Sequence, residues 1–237
     1  MNLERTTLPS LTKNETMSDI RSRSAAPQHM NGRPAHPSSS SSVRSICVYC
    51  GSGPGNNPAY VEAARTLGRS LAENGIRLVY GGGGLGLMGE VARATLSAGG
   101  KVTGIIPEFL VAREHMLEEV TDLLVTEDMH QRKKLMFERS DAFVALPGGI
   151  GTLEELVEQL TWSQLGQHNK PIVVANIADF WTPFLGLLEH MRKEAFIRAG
   201  LEVRLNAVAE ADQIVPRVMA LYKERDVAVA PGALSKF

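Results

Sequence analysis

No stretch of this chain stays apolar for the roughly 18 residues that a bilayer-spanning helix requires, so such a helix is excluded. Charge of one sign is missing too. Lys and Arg number 25 against 26 Asp and Glu, a formal net charge of −1, so broad electrostatic attraction to nucleic acid or to a membrane surface is not expected. Cysteine is scarce: only Cys47 and Cys50, spaced C-x-x-C. A zinc site would need two further ligands, and no second cysteine pair exists. A thioredoxin-like redox pair would open a helix, whereas these residues close a strand. Two reduced thiols, one of them near the ligand, are expected, as in a cytosolic protein. The six histidines are scattered and imply no metal.

What is present fits one domain with tails: 237 residues, 43% apolar and 22% charged. Residues 1–43 are rich in Ser, Pro, Arg and Asn, end in the run Ser38–Ser42, and show no apolar period. Such a segment cannot bury enough surface to offset its ordering entropy and is expected to be a disordered tail, with Met17 as an alternative start. Glu4, Glu15 and Asp19, with no amphipathic stripe, speak against an organelle-targeting peptide. The catalytic or binding domain is expected over 44–223, and 224–237 as a flexible C-terminal tail.

From Arg44 the pattern alternates strand and helix. Strands are expected at Ser45–Tyr49, Ile76–Tyr80, Lys101–Ile106, Val120–Thr126, Asp141–Leu146, Pro171–Asn176 and Asn206–Val208. Helices are expected from Pro58, with Ala64, Leu67, Gly68 and Leu71 inward; out of the Gly81–Gly89 turn, with Met88, Val91, Ala92 and Thr95 inward; over Met129–Arg139; after the Gly148–Gly151 turn; from Pro183, with Thr182 as its cap and Phe184, Leu187, Leu188, Met191 and Ala195 inward; and over Ile214–Tyr222. Repeated βα units with near-continuous apolar strands imply an α/β fold: a doubly wound parallel sheet, helices on both faces. Ligands of such sheets bind past the carboxyl ends of the strands, where all three glycine-rich turns of this chain fall: Gly51–Gly55, Gly81–Gly89 and the one within Ala145–Glu155.

The third of these turns organises the chain. In Ala145–Glu155 a buried strand ends at Pro147, which has no N–H to donate. Gly148, Gly149 and Gly151 let backbone amides approach a ligand closely. The helix that follows is expected to bury Leu153, Leu156, Val157 and Leu160, with Glu155 in its first turn and off that stripe. Its first amides lack intrahelical partners and carry the positive end of the dipole, so a phosphate can sit there. Glu154 and Glu155 could simply complement the dipole; the glycine cradle directly before them favours a site. The second turn, Gly81–Gly89, matches G-x-G-x-x-G from Gly81 and from Gly84, with Glu108 at about the spacing of a ribose-binding acid. It follows the second strand rather than the first, so a dinucleotide site is discounted. Close packing and phosphate contact both remain open for it. In Asp128–Lys134, Asp128 can cap a helix on which Met129, Arg132 and Met136 share a face. Arg132 and Lys133 in a first turn oppose the dipole, which favours an anion-binding or Glu-pairing role for Arg132. His130 is read as structural.

Pro147-Gly-Gly-Ile-Gly-Thr152 with Glu155 fits the pattern PGGxGTxxE. Together with Met129–Lys133, Cys50-Gly-Ser52 and the Gly82–Gly89 turn, it closely resembles the LONELY GUY (LOG) family of cytokinin riboside 5′-monophosphate phosphoribohydrolases, over roughly Ser45–Tyr222. The resemblance implies a Rossmann-like, cytoplasmic homodimer that needs no metal or cofactor. It would hydrolyse the N-glycosidic bond of a purine nucleoside 5′-monophosphate, AMP or N6-prenyl-AMP, to free base and ribose 5-phosphate. It implies Arg132 and Glu155 as the catalytic pair. Glu114, Lys133, Gly149, Gly151, Thr152 and Thr161 match the family's substrate-binding positions, with Ser52, Gly83, Gly84 and Met129 from the accompanying motifs. Departure of the base leaves cationic character on the ribose, which a nearby carboxylate stabilises as it develops. The second reading is a non-catalytic nucleotide or pterin-phosphate carrier of the same fold. Proteins of this kind have also been labelled lysine decarboxylases, but no lysine here stands in a context suited to a pyridoxal Schiff base.

Overall fold

The computed structural model describes residues 42–111, 115–197 and 205–228. Nearly all of the expected N-terminal tail, the last residues of the C-terminal one, and Glu114 lie outside them. The strands are β1 (Ser45–Tyr49), β2 (Arg77–Tyr80), β3 (Val102–Pro107), β4 (Asp122–Thr126), β5 (Ala142–Ala145), β6 (Ile172–Ala175) and β7 (Asn206–Val208). Every neighbouring pair is parallel, in the order β4-β3-β2-β1-β5-β6-β7. The chain winds outward from β1 to β4, then returns to the other side of β1 as β5. The connections leaving β1 and β5 therefore diverge, and the crevice between them is where a sheet of this kind takes a ligand.

The helices are α1 (Pro58–Glu73), α2 (Gly86–Ser97), α3 (Met129–Glu138), α4 (Ile150–Gln164), α5 (Thr182–Lys193) and α6 (Ile214–Ala228). The Asn57 side chain caps α1 by accepting from the Ala59 amide at 3.0 Å, and Pro58 takes the first helical position. Alternation along the strands feeds two cores. Ile46, Val48, Leu78 and Tyr80 pack with side chains of α1, α2 and α6. Cys47, Tyr49, Val79 and Phe143 pack with Met136, Leu156 and Leu160 on the other face. At Gly68 a Cβ would fall 2.6 Å from the Val91 carbonyl oxygen and 2.8 Å from the Ala94 Cβ, so this glycine sets how closely α1 and α2 approach. Val43, at the end of the expected tail, is already buried in the first core.

Four expectations change. Val157 is 41% exposed, and the buried face of α4 is Thr152, Glu155, Leu156, Gln159 and Leu160. The helix is thus rotated from its most apolar face, because its inner side must meet Arg132 as well as the sheet. No residue of α5 is buried, and Leu187 and Met191 face outward, so only Phe184, of the side chains expected inward, packs beside a core. Thr182 donates to Asp179 Oδ1 at 3.3 Å instead of capping α5. Finally, α6 continues past Tyr222 to Ala228.

Candidate active site

The end of β5 and the start of α4 form a cradle. Leu146 N–H donates to the Tyr49 carbonyl at 2.9 Å, and Gly51 N–H to the Pro147 carbonyl at 3.1 Å, which ties the β1 and β5 connections together. A Cβ on Gly148 would collide with the Thr152 side chain and come within 2.8 Å of the Gly51 nitrogen, so only glycine fits. Gly149 occupies the N-cap of α4 without a side chain to cap it. The first intrahelical amide bond is Leu153 to Gly149, at 3.0 Å. Helix geometry thus leaves the amides of Ile150, Gly151 and Thr152 without intrahelical acceptors. No acidic residue lies in this first turn, and among the described residues a Cβ added at Gly149 or Gly151 would meet nothing within 4 Å beyond its chain neighbours and the helix's own backbone. Because α4 begins at Ile150, Glu154 and Glu155 belong to its second turn and are not dipole-complementing first-turn acids. Glu155 points inward and Glu154 outward.

The second glycine turn is built differently. Leu87 and Met88, at the start of α2, already donate to the Gly51 carbonyl, at 3.0 and 3.3 Å. Gly84 N–H donates to the His115 carbonyl at 2.9 Å, Leu117 N–H to the Gly82 carbonyl at 3.1 Å, and Gly83 bridges to Met116. Gly86, at φ 55°, lets the Ser52–Gly53 backbone pass against α2. Of the two readings left open for this turn, close packing is what its amides are engaged in.

Arg132 approaches from the far side. Asp128 Oδ1 accepts from the Gln131 amide at 2.8 Å and so fixes the start of α3, on which Arg132 and Met136 are buried and Met129 half-buried. The guanidinium donates through Nε to the Ile105 carbonyl at 3.2 Å and lies 3.7 Å from Met129 Sδ. Its Nη2 is 3.5 Å from Glu155 Oε1, with the two side chains only 8% and 11% exposed. That separation is longer than the 2.7–2.9 Å of a tight charge-assisted bond, so the guanidinium keeps donor capacity. Next to it, Lys133 Nζ contacts Glu154 at 2.7 Å and Glu158 at 2.9 Å. Burial pulls the Lys133 ammonium down, but these two carboxylates more than reverse it, leaving its pKa raised. Arg132 therefore reaches the inner face of α4 and Lys133 the outer.

Beneath Glu155 lie Cys47 and Tyr49. Burial, then the charge of Glu155, pushes the Cys47 thiol far up; burial, then Cys47 and Glu155, does the same to the Tyr49 hydroxyl. Both stay protonated. Both cysteines are free and buried, and the thiol of Cys47 is held in its unreactive form.

The structure thus gathers Arg132, Glu155, Met129 and Thr152, with Gly149 and Gly151 at the mouth and Ser52 exposed on the adjoining turn. Thr161 is not brought to Glu155: it is exposed, donates to the Val157 carbonyl at 2.8 Å, and lies about 9 Å further along α4. His130 is exposed, and Glu108 opens a short 3-10 turn, Glu108–Leu110. Among the described residues no group of three or more His, Cys, Asp or Glu could hold a metal ion, and no helix is long and apolar enough to cross a membrane. Two contributors escape sequence reading. A Cβ on Gly81 would overlap Arg132 Nη2, so this glycine makes room for the guanidinium, and the Ile105 carbonyl anchors it. The run of four glycines from Gly81 was the available signal, but it does not say which of them clears which side chain.

A family model described as possible lysine decarboxylase matches residues 88–218. A Rhodococcoides fascians protein named cytokinin riboside 5′-monophosphate phosphoribohydrolase is 48% identical over 68% of this chain and 82% of its own length. The rice protein named cytokinin riboside 5′-monophosphate phosphoribohydrolase LOG is 43% identical over 79% of this chain and 77% of its own length. Among solved structures, the Moco carrier protein of Chlamydomonas reinhardtii superposes with a TM-score of 0.57 at 23% identity, covering 76% of this chain and 98% of that one. The molybdenum cofactor binding protein of Rippkaea orientalis gives 0.57 at 20% identity, covering 75% and 96%. These two share the parallel-sheet fold. With the family model running from α2 into α6 and the bacterial and plant relatives matching well beyond it, the chain belongs to the LONELY GUY (LOG) family.

Proposed function

We propose that this protein hydrolyses the N-glycosidic bond of purine nucleoside 5′-monophosphates, AMP or an N6-substituted AMP, releasing the base and ribose 5-phosphate. The observation that carries this reading is the pairing of an open, acid-free helix start with a buried carboxylate one turn deeper that faces Arg132. The free amides of Ile150, Gly151 and Thr152, with the Thr152 hydroxyl, hold the 5′-phosphate at the positive end of α4. That binding energy positions the ribose over Glu155. As the bond to the base lengthens, positive charge spreads over the ribose ring, and the Glu155 carboxylate gains interaction energy only then. This lowers the barrier rather than merely tightening substrate binding. Arg132 fixes the carboxylate through Nη2 and keeps donors for a substrate hydroxyl or the attacking water. A carrier would have no use for a buried carboxylate facing the sugar.

A homodimer in the cytoplasm completes the proposal. Along α4, Ile150 (83% exposed), Val157 and Leu165 form an outward apolar stripe with Thr161 among them. A second copy covering that stripe would put Thr161 at an interface, where it could serve a site other than that of its own Glu155. Two free thiols suit a reducing compartment.

Incubation with AMP and isopentenyl-AMP, followed by separation of the bases, tests the reading. Base release that falls away for nucleosides without the 5′-phosphate is expected. Tight AMP binding with no base after hours would establish a carrier instead.

A further inference from the structure

On the face of the sheet opposite Arg132 and Glu155, α1 and α2 border a groove that the proposed reaction leaves unused. Its volume is about 350 Å³, within the range of small-ligand sites, and Arg65, Arg69 and Arg93 line it together with Glu90 and Ser97. Gly68 brings the two helices close enough for the three guanidinium groups to share one depression. Arg65 Nε contacts Glu90 at 2.7 Å, and its Nη1 contacts Glu62 at 2.7 Å. Arg93 Nη2 reaches the same Glu90 at 3.3 Å. Arg69 donates only to the Thr66 hydroxyl, at 3.0 Å, and makes no ion pair among the described residues. Three arginines thus face a single lining carboxylate, in a chain whose net charge is −1.

Planar guanidinium forks match the paired oxygens of phosphates, and several of them at one depression match linked phosphates better than a single one. Arg93 also gives the groove a route inward. Its Nη1 donates to the Gly84 carbonyl at 2.9 Å, and Gly84 N–H donates to the His115 carbonyl at 2.9 Å. This is the turn whose first residue, Gly81, makes room for Arg132.

We propose that the groove binds an oligophosphate, free or carried by a nucleotide, and that its occupancy steadies the Gly81–Gly86 turn through Arg93. The Arg93 side chain is 47% exposed; a phosphate gripping its outer edge restricts it and holds Nη1 on the Gly84 carbonyl.

Calorimetric titration of the full chain with inorganic pyrophosphate tests this, using two variants to separate the groove from the α4 cradle. Arg69→Glu reverses the unpaired groove charge at an exposed helix position, and Gly151→Asp sets a carboxylate in the open mouth of the cradle. The expected result is binding weakened about tenfold or more in Arg69→Glu and retained in Gly151→Asp. Arg69→Gln should lose less, in the same direction. In hydrogen exchange, pyrophosphate should protect the amides of residues 82–86 in the wild type and in Gly151→Asp, and not in Arg69→Glu. In Gly151→Asp, whose cradle is closed to phosphate, tighter binding of ADP than of pyrophosphate identifies a nucleotide, and equal or weaker binding the free oligophosphate; both support the site. The proposal is overturned if Arg69→Glu binds pyrophosphate like the wild type, if Gly151→Asp abolishes all binding, or if the wild type binds none at about 10 mM. Base release by the wild type and Arg69→Glu in buffer without phosphate should be the same, so failure here leaves the hydrolase reading untouched.

Discussion

Replacing Gly81 by alanine should separate activity from stability. The φ angle of Gly81 lies outside the left-handed region, so alanine adds no backbone strain there. What the new methyl meets is Arg132 Nη2, with Met88 Sδ next at 3.1 Å. Both are far ends of flexible side chains and can move without disturbing the sheet. The expected stability change is therefore small, within about 1 kcal/mol. The guanidinium, however, cannot keep both its bond to the Ile105 carbonyl and its 3.5 Å approach to Glu155. A displacement of about 1 Å at a group that positions catalytic atoms costs on the order of 10²-fold in rate. The cradle amides are untouched, so the loss should appear in kcat with KM nearly constant. Base release from AMP, measured alongside a thermal melt, reads both quantities. A Gly81→Ala enzyme with wild-type kcat and wild-type Tm would refute the importance of where Arg132 sits. A large drop in Tm would show that the collision is not absorbed by side chains.

Glu155→Gln preserves shape and removes the charge; kcat should fall by roughly 10²–10⁴-fold while AMP still binds, measured by single-turnover base release and equilibrium dialysis. Gly151→Asp puts a negative group before the free amides of α4, so KM for AMP should rise by about tenfold or more, with a much smaller effect on nucleosides lacking phosphate. His168 makes stability depend on pH. Its Nδ1 accepts from the Lys170 amide at 3.1 Å and its Nε2 lies 3.2 Å from the Gln159 carbonyl, which requires the neutral ring protonated at Nε2. Burial holds its pKa down at about 4 against an ordinary 6.5. The unfolded chain therefore takes up a proton before the native one, and stability contributed above pH 6.5 is lost as pH falls from 6.5 toward 4. The slope has a ceiling of about 1.4 kcal/mol per pH unit, reduced to roughly half by the partial exposure of the ring. Thermal melts across that window should show a flatter curve for His168→Asn than for the wild type; parallel curves would contradict it.

Most of the fold is legible in the sequence because strand and helix periods are local. The runs Ser45–Tyr49 and Asn206–Val208 coincide with β1 and β7, and the inward set of α2, Met88, Val91, Ala92 and Thr95, is buried. The pairing of Arg132 with a glutamate is also legible, since cationic side chains against the positive end of α3 imply a partner elsewhere. What does not show is anything decided by the neighbour of an element. The apolar spacing on α4 selects Val157 as buried, yet the sheet and Arg132 draw Glu155 and Gln159 inward instead. Leu187 and Met191 have the spacing of a core face, but no layer of the described chain lies over α5 to cover it. Periodicity reports that a helix has an apolar side; it does not report whether this chain supplies the surface to bury it.

The glycine turns sharpen the same distinction. Judged by composition, Gly81–Gly89 is the richer cradle and the better match to a nucleotide-binding pattern. Yet an anion at a helix start binds amide hydrogens, and what matters is whether those hydrogens are still available. At α2 the amides of Leu87 and Met88 are taken by the Gly51 carbonyl, and Gly84 N–H by that of His115. At α4 no backbone carbonyl of the described residues accepts from the amides of Ile150, Gly151 or Thr152, and Gly51 offers the Pro147 turn its N–H instead. One residue, Gly51, thus closes the second turn with its oxygen and braces the third with its nitrogen. The two helix starts acquire opposite fates around a single residue on β1's connection, and of the two the one left open has a carboxylate buried a turn below it.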